Sequence, residues 1–237
     1  MKRLLRKPRF LIVYPLAMWL AVTASTSEWS LRLGSAVVLL GEALRLWANG
    51  YVGHVKVNVT STSGRAPKIG RLITAGPYAY VRNPLYLGTF LIGLGFCVAV
   101  RNAWLAASGL AVFTLIYRRK IAQEEALIAE EWAEAYRAYH RAVPRWLPVR
   151  RRYAHRHGRW SWQGIGASQE LKTVVWVIVG LLAVYLREEI VQEGEWRWHV
   201  TGLKHLVIAA LMLLLMAGDG VAELVQRARR KRAAVPI

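Results

Sequence analysis

Cysteine is almost absent from this 237-residue chain. Cys97 is the only one, and it lies within an apolar run. One cysteine cannot form an internal disulfide, and a lone buried thiol most often serves as a small apolar side chain. Internal repeats and low-complexity tracts are also missing, so the organisation of the chain has to be inferred from its apolar runs and its charges.

Acidic residues are scarce: 14 Asp and Glu accompany 33 Lys and Arg, and the formal net charge is +19. A nucleic-acid partner is one explanation of such a charge, but its distribution favours another. Five cationic residues precede the first apolar run, six lie between Arg45 and Arg82, twelve between Arg118 and Lys172, and five in the tail RARRKR. Lys and Arg grouped on one side of successive apolar runs are typical of a multi-pass membrane protein. We therefore predict that both termini and the active side are cytoplasmic, with no nucleic-acid partner.

Hydrophobic residues make up 55% of the chain and gather in long runs. Most runs approach the roughly 20 residues that a helix needs to cross a bilayer. The candidate spans are residues 10–25, 31–48, 84–100, 103–117, 170–187 and 200–218. A secretory signal peptide is the alternative for the first run, but no convincing small-residue cleavage site follows and a proline interrupts it. The sequence predicts an all-α integral membrane protein with about six transmembrane helices.

Three regions follow from these runs. Residues 1–50 are predicted to form an N-terminal transmembrane hairpin, residues 51–149 contain nearly all of the dense motifs, and residues 150–237 begin with a basic aromatic linker ahead of two further spans. The linker, RRRYAHRHGRW, is expected to meet anionic lipid headgroups. His155 and His157 have a spacing compatible with metal ligation, but no carboxylate or thiol is near them in sequence, so we predict no metal site.

The stretch GPYAYVRNPLYLG, residues 76–88, precedes the third apolar run. Gly76 permits a positive φ and Pro77 fixes φ. Asn83 before Pro84 favours an extended residue and is able to cap the helix that follows. Free backbone amides at a helix start favour a carboxylate or hydroxyl ligand. Three tyrosines suit a base and ribose but would equally anchor the chain at the membrane interface: Tyr78, Tyr80 and Tyr86.

The segment Val98–Asn102 is so short that the third and fourth spans are expected to form an antiparallel hairpin. Their cytoplasmic ends, GPYAYVRNP and YRRKIAQEE, are then neighbours. Residues 121–140 are predicted to continue the fourth span as one amphipathic helix, with Glu125 in its apolar face and Glu124 at the margin. The two carboxylates either pair with the arginines of YRRK across one turn or serve as ligand and ion-pair groups.

Two motifs resemble those of a known family. The string LITAGPYAYVRNPLYLGTFLIGLGF resembles a signature of the isoprenylcysteine carboxyl methyltransferase and phospholipid methyltransferase superfamily of integral membrane enzymes. Further along, EEALIAEEWAEAYRAYHRAVPRWLP resembles its second signature: a Glu pair, an aromatic helix with two tyrosines three apart, a Val-Pro-Arg and a closing Pro. The resemblance covers residues 45–149. It implies an enzyme that uses S-adenosylmethionine to methylate a lipophilic or membrane-embedded acceptor.

The resemblance also implies the site residues. The cofactor would be held by Gly70, Arg71, Leu72, Ile73, Tyr78, Asn83, Pro84, Leu85, Tyr86 and Glu124. Lys120, with Arg119 beside it, falls where the isoprenylcysteine branch has an arginine that engages the substrate, but a lysine is a point charge and not a bidentate group. Asn83 stands where a histidine is common, which keeps a hydrogen-bonding side chain but removes a proton carrier.

The acceptor atom stays open between oxygen, nitrogen and sulfur. A carboxylate or thiolate needs no base, and Lys120 or Arg119 would orient it. An amine, as in a phospholipid N-methyltransferase, must lose a proton, for which Glu125 or Glu124 is the candidate. Two further classes are alternatives: a membrane reductase with a nicotinamide cofactor, which would need a longer chain with more spans, and a non-enzymatic transporter or lipid-binding protein. The oligomeric state is not predicted.

Overall fold

The computed structural model describes residues 25–52, 72–168, 170–192 and 203–233. These residues form seven α-helices and one 3₁₀ turn, with no strand among them, so the all-α prediction is confirmed for this part of the chain. The first predicted span lies almost entirely outside the described residues. The helices are α1 Glu28–Val52, α2 Pro84–Val100, α3 Ala103–Glu131, α4 Ala133–Ala142, α5 Trp162–Ser168, α6 Glu170–Gln192 and α7 Leu203–Ala233.

Helices α1 and α2 pack antiparallel at very short range. A Cβ atom added to Gly34 of α1 would lie 2.5 Å from the Ala99 backbone nitrogen, and one added to Gly41 would lie 2.7 Å from the Gly88 carbonyl oxygen. Gly95 of α2 faces Gly34 in the same way. Small residues at matching positions let two backbones meet, which is how apolar helices associate without a hydrophobic driving force. This contact brings the C-terminal end of α1 next to the start of α2.

The predicted tight turn between α2 and α3 is confirmed. Arg101 adopts a left-handed conformation, with φ of 53°, and its backbone N–H donates to the Val98 carbonyl oxygen. Asn102 then caps α3, because its side-chain oxygen accepts from the backbone N–H of Leu105. The start of α2 differs from the prediction: Pro84 occupies the first turn, but the Asn83 side chain makes no capping hydrogen bond. That side chain has another partner, described below.

The helix predicted to run through residues 121–140 is two helices. Helix α3 ends at Glu131, and Trp132 leaves the helical conformation with φ of −118° and ψ of 22° before α4 begins. The break turns Tyr136 and Tyr139 into a small core with Val143, all three at most 5% exposed. A periodic pattern across residues 121–140 does not reveal this change of direction, because both helices keep an apolar face.

Helices α6 and α7 pack on each other, and α6 also packs on α1. At the start of α6, Glu170 accepts from Arg45 of α1, with Nε–Oε1 at 2.6 Å and Nη2–Oε2 at 2.9 Å. The Glu170 side chain is 1% exposed. Lys172 of α6 forms an ion pair with Asp219 of α7 at 3.1 Å. The last two helices are therefore joined to the α1–α2 pair through a buried, bidentate ion pair.

Within the described residues, one helix is long and apolar enough to cross a bilayer. It is the segment His205–Ala222 of α7, with a mean hydropathy of 2.0. Helix α2 is strongly apolar but has 17 residues. Helix α1 matches the predicted span 31–48 in position, yet it carries Glu42 and Arg45 in its buried stripe. The number of six crossings stays a prediction.

Candidate functional site

The stretch before α2 forms a rigid support for the site. Gly76 has a φ of 62° and opens the 3₁₀ turn Gly76–Ala79. Its missing side chain leaves room for the Tyr51 ring, onto which a Cβ would project. Tyr139 of α4 donates its hydroxyl hydrogen to the Tyr78 carbonyl oxygen at 2.7 Å. The turn is therefore fixed by α1 on one side and by α4 on the other.

Glu125 of α3 lies at the centre of a clamp that joins three parts of the chain. Its Oε1 accepts from Asn83 Nδ2 at 3.0 Å, from Arg82 Nε at 3.2 Å and from Arg145 Nε at 3.3 Å. Its Oε2 accepts from Arg145 Nη2. Arg82 also donates to the backbone carbonyl oxygen of His140 at 2.7 Å. The clamp ties the start of α2 to α3 and to the segment after α4, and it explains why Asn83 does not cap α2.

The donors around Glu125 decide its charge. Burial alone would raise the pKa of this carboxyl group, but hydrogen bonds from Arg145 and Asn83 and the positive charges of Arg82 and Arg145 outweigh burial and hold the pKa below its ordinary value. The Arg82 and Glu125 side chains are 8% and 10% exposed. Glu125 is thus an ionised, fully engaged carboxylate, which is poorly suited to accept a proton from a substrate.

Glu124, the preceding residue, faces a different environment. Its Oε1 accepts from the Tyr86 hydroxyl at 2.8 Å, and no described residue donates to its Oε2. The Lys120 ammonium lies 5.6 Å from the centre of the Tyr86 ring. Tyr117 packs against the same ring at 5.1 Å, and Phe113 continues the aromatic surface along α3. A half-buried carboxylate, a hydroxyl and a cation therefore meet at an aromatic wall between α2 and α3.

The pKa of Glu124 is raised, in contrast to that of Glu125. Burial raises it, while the hydrogen bond from Tyr86 and the charge of Lys120 only partly oppose that effect. The pKa of the Tyr78 phenol is also raised, first by burial and then by the negative charge of Glu124. Tyr78 therefore stays protonated and within electrostatic reach of Glu124. The pKa values of the two adjacent carboxylates are thus shifted in opposite directions.

The structure brings together most of the described residues that the sequence predicts for the site. The prediction that the ends of the third and fourth spans lie next to each other is confirmed. Asn83 contacts Glu125, and Tyr86 contacts Glu124. The alternative in which both carboxylates pair with the arginines of YRRK is wrong, since neither does so and Arg119 is exposed. Gly70 and Arg71 lie outside the described residues.

The remaining predicted residues lie in other contacts. Leu72 packs on the core of Tyr136 and Tyr139. Ile73 lies under the backbone of Gly158, where an added Cβ would be 3.3 Å from its side chain. Pro84 is buried at the start of α2, and the Leu85 carbonyl oxygen lies 3.4 Å from Arg45 Nη1.

Arg82 and Arg145 form part of the clamp, yet the sequence analysis assigned them no role. Both belong to the motifs quoted above, in VRNP and VPRW. The signal for them was indirect: a carboxylate in the apolar face of a helix requires cations, and each motif offers one. Arg45 was also missed, because its partner Glu170 is 125 residues away.

Comparison with known proteins finds a family match over the segment that contains this arrangement. A model of the isoprenylcysteine carboxyl methyltransferase (ICMT) family matches residues 30–130. Over this segment the chain is similar to the ICMT family. The matched segment runs from α1 to the end of α3 and contains Tyr78, Tyr86 and the Glu pair. The family resemblance inferred from the two motifs is thereby confirmed.

Three curated relatives illustrate how far the similarity extends. Protein-S-isoprenylcysteine O-methyltransferase of Xenopus laevis is 28% identical over 145 residues, which cover 56% of this chain and 48% of that protein. The protein of the same name from Schizosaccharomyces pombe is 28% identical over 110 residues, 46% of each chain. The nickel-cobalt-cadmium resistance protein NccN of Alcaligenes xylosoxydans xylosoxydans is 28% identical over 137 residues, 54% of this chain and 58% of that protein.

The chain spans about half the length of the curated relatives it matches. No solved structure matches it significantly. Within the part of the chain that the structure describes, no group of three or more His, Cys, Asp or Glu side chains is placed to hold a metal ion.

Proposed function

We propose that this protein transfers a methyl group from S-adenosylmethionine to a lipophilic, membrane-embedded acceptor. The observation that carries the proposal is the pair of Glu124 and Tyr86, held 2.8 Å apart beside Lys120 within the segment that matches the ICMT family. The names of two relatives, both protein-S-isoprenylcysteine O-methyltransferases, support the reaction type.

The residues present fit such a cofactor. S-adenosylmethionine has hydroxyl and ammonium donors, an aromatic base and a carboxylate, and it supplies a methyl group on a positively charged sulfur. Glu124 offers an acceptor oxygen, Oε2, with no donor among the described residues. Tyr78 and Tyr86 offer aromatic surface, and Lys120 offers a cation. Asn83 would act indirectly, because its side chain is engaged by Glu125.

The contribution of the chain to the reaction is orientation and the exclusion of water, because the transferred group comes with the cofactor. An anionic acceptor, such as a carboxylate or thiolate, would be oriented by Lys120, whose ammonium already lies over the Tyr86 ring. Arg119 is exposed on the same turn and stays a prediction. The acceptor would reach this place along the exposed apolar side chains of α3, among them Leu115, which is 72% exposed.

An amine acceptor, as in a phospholipid N-methyltransferase, is the second candidate. It requires a proton acceptor, and the raised pKa of Glu124, caused mainly by burial, favours Glu124 for this role. Glu125 was the other sequence-based candidate, but both of its oxygens accept from cations. A transporter or lipid-binding protein without an enzymatic role remains the alternative outside enzymes, and it predicts no cofactor binding.

The membrane placement is part of the same proposal. With both termini in the cytoplasm, the cytoplasmic ends of the hairpin α2–α3 carry the Glu pair and receive the polar cofactor from water. The acceptor arrives from the bilayer. The apolar α7 segment and the exposed apolar residues of α3 support a multi-pass arrangement.

The test is calorimetric binding of S-adenosylmethionine and S-adenosylhomocysteine to detergent-purified protein. We expect saturable binding by the wild type and a loss of at least about tenfold in affinity for Glu124→Gln, since one charge-assisted hydrogen bond is worth about 1.5–3 kcal/mol. The matched control is Glu130→Gln, an exposed glutamate on the same helix. No binding by folded wild-type protein, with lipid present, would overturn the methyltransferase proposal in favour of the transporter alternative.

A further inference from the structure

The linker, residues 150–160, runs along residues 72–80, the loop that precedes α2. The backbone N–H groups of Thr74 and Ala75 donate to the His157 carbonyl oxygen at 3.0 and 3.2 Å, and the Tyr153 N–H donates to the Ala79 carbonyl oxygen at 2.9 Å. The Ser161 N–H donates to the Gly50 carbonyl oxygen at 2.8 Å. These bonds connect both ends of the linker to the loop and to the end of α1, so the positions of its arginines are defined.

An open cleft of about 450 Å³ lies between the linker and the loop. Its walls combine aromatic rings, glycines and cations: Tyr51, Gly76, Gly158, Arg156, Arg159 and Trp160. Both glycines have a positive φ, of 62° and 128°. A side chain at Gly76 would collide with the Tyr51 ring. Gly76 therefore lies directly against the Tyr51 ring, and Arg156 and Arg159 line the same cleft.

These two arginines have no countercharge nearby. Residues 135–169 include eight Arg and not one Asp or Glu, and residues 43–123 contain no acidic residue either. Among the described residues, neither Arg156 nor Arg159 forms an ion pair, and both are exposed. Neither of the two segments that form the cleft supplies an acidic residue. The two arginines are therefore available to an external anion.

Exposed tryptophans at the cleft and near the end of α1 fit the membrane interface of the proposed placement. Trp160 lines it and is 38% exposed, and its ring lies 4.7 Å from that of Trp162, which is 76% exposed. Trp47, one turn before the end of α1, is 44% exposed. Exposed tryptophans at the end of a membrane helix typically lie among lipid headgroups. A soluble anion would not need such a border.

We propose that the cleft binds the phosphate group of an anionic phospholipid, with Arg156 and Arg159 contacting the phosphate oxygens and Trp160 and Tyr51 lying beside the glycerol. Guanidinium groups suit this ligand because they contact phosphate oxygens in pairs. None of these four residues is among those assigned to the cofactor or the methyl acceptor, so the lipid is proposed as a separate ligand. The inference rests on the proposed membrane placement, and it does not depend on methyl transfer.

The experiment is native mass spectrometry of the full chain in neutral detergent, titrated with a short-chain phosphatidylglycerol. The test variant is R156Q/R159Q, and the matched control is R150Q/R151Q, which removes two exposed charges from the same linker outside the cleft. We expect one retained phosphatidylglycerol per wild-type chain, affinity at least about tenfold lower in the test variant and within about twofold in the control. Phosphatidylcholine of the same chain length should bind more weakly than phosphatidylglycerol.

Four results with the wild type and the two glutamine variants would overturn the proposal. An equal loss of phosphatidylglycerol affinity in both variants would show that the lipid responds to the general positive charge of the linker and not to the cleft. Equally tight, competing binding of inorganic phosphate would show a soluble-anion site. A loss of S-adenosylhomocysteine binding in R156Q/R159Q, but not in R150Q/R151Q, would assign the cleft to the cofactor. Full retention of the lipid by R156Q/R159Q, with an unchanged melting temperature, would show that the two arginines do not bind the lipid.

Should R156Q/R159Q fail to fold, R156K/R159K tests the same positions with the charge kept. A lipid affinity equal to that of the wild type would then contradict bidentate recognition.

Discussion

Glu124 and Glu125 are neighbours in sequence, yet they occupy opposite kinds of environment. Glu125 points into the packed junction of three segments, where Arg82, Asn83 and Arg145 fill both of its oxygens. Glu124, about 100° further around the helix, has one hydroxyl partner and an oxygen with no described donor. The difference teaches that a pair of acidic residues on a helix can divide a structural task and a ligand task between them.

Substitution of Glu125 should have the largest effect on stability. Glu125→Gln leaves Arg82, whose side chain is 8% exposed, without its counterion, and removing one partner of a buried ion pair costs about 3–5 kcal/mol. We expect the free energy of unfolding in detergent, measured by thermal and chemical denaturation, to fall by about that amount. Glu124→Gln should change it by no more than about 1 kcal/mol, because its amide can still accept from Tyr86.

The control for this comparison is Glu131→Gln, an exposed position at the end of the same helix. A Glu125→Gln protein as stable as the control would refute the structural role of Glu125. A Glu124→Gln protein that unfolds more easily than Glu125→Gln would assign that structural role to Glu124 instead.

The two carboxylates should also respond to pH in opposite directions. The pKa of Glu124 is raised above its ordinary 4.5, mainly by burial, so the folded chain gains stability from this group as the pH falls and loses that contribution as the pH rises through the raised pKa. The pKa of Glu125 is lowered: burial alone would raise it, but the hydrogen bonds from Arg145 and Asn83 and the positive charges of Arg82 and Arg145 prevail. Glu125 therefore stabilises the fold above 4.5 and loses this effect as the pH falls through the lowered value.

Cofactor binding gives the clearest pH readout. Because the proposed contact uses the Glu124 carboxylate, affinity for S-adenosylhomocysteine should fall as the pH drops through its raised pKa, by up to about tenfold per pH unit for one linked proton. Calorimetric titrations between pH 8 and pH 5 measure this slope. In Glu124→Gln the slope should vanish. A slope that persists in that variant would mean that another group titrates with the cofactor.

The geometry of the clamp can be tested separately from its charge. Arg145 contacts Glu125 with both Nε and Nη2, which a lysine cannot reproduce. Arg145→Lys should lower the free energy of unfolding by about 1–2 kcal/mol, less than Glu125→Gln, since the charge remains. Arg141→Lys, at an exposed position in the last turn of α4, is the matched control and should be neutral. Equal melting temperatures for Arg145→Lys and the wild type would show that only the charge matters.

Much of this arrangement could be predicted from the sequence, and the exceptions have physical causes. The α2–α3 hairpin and the burial of Glu125 follow from local patterns, namely a five-residue turn and helical periodicity. The break at Trp132 does not, because both helices continue the same apolar face. The partners of Glu125 and the bond between Arg45 and Glu170 join residues 20 to 125 positions apart, and no local pattern encodes such a distance. Motif resemblance predicted the site residues but could not say which glutamate has an oxygen without a described donor.

The smallest expected effect concerns the hydroxyl of Tyr86. Tyr86→Phe keeps the ring that packs on Tyr117 and under Lys120 and removes only the hydrogen bond to Glu124. Loss of one half-exposed hydrogen bond costs about 1 kcal/mol, so cofactor affinity should fall about three- to tenfold while the melting temperature hardly changes. Tyr80→Phe, with a ring in the same stretch that packs on Trp47 instead, should leave affinity unchanged. In a Glu124→Gln background, Tyr86→Phe should add less than it does alone, because the two side chains act as one unit. Fully additive losses of affinity would show that Tyr86 contacts the cofactor independently of Glu124. Glu124 and Tyr86 would then be two separate binding groups.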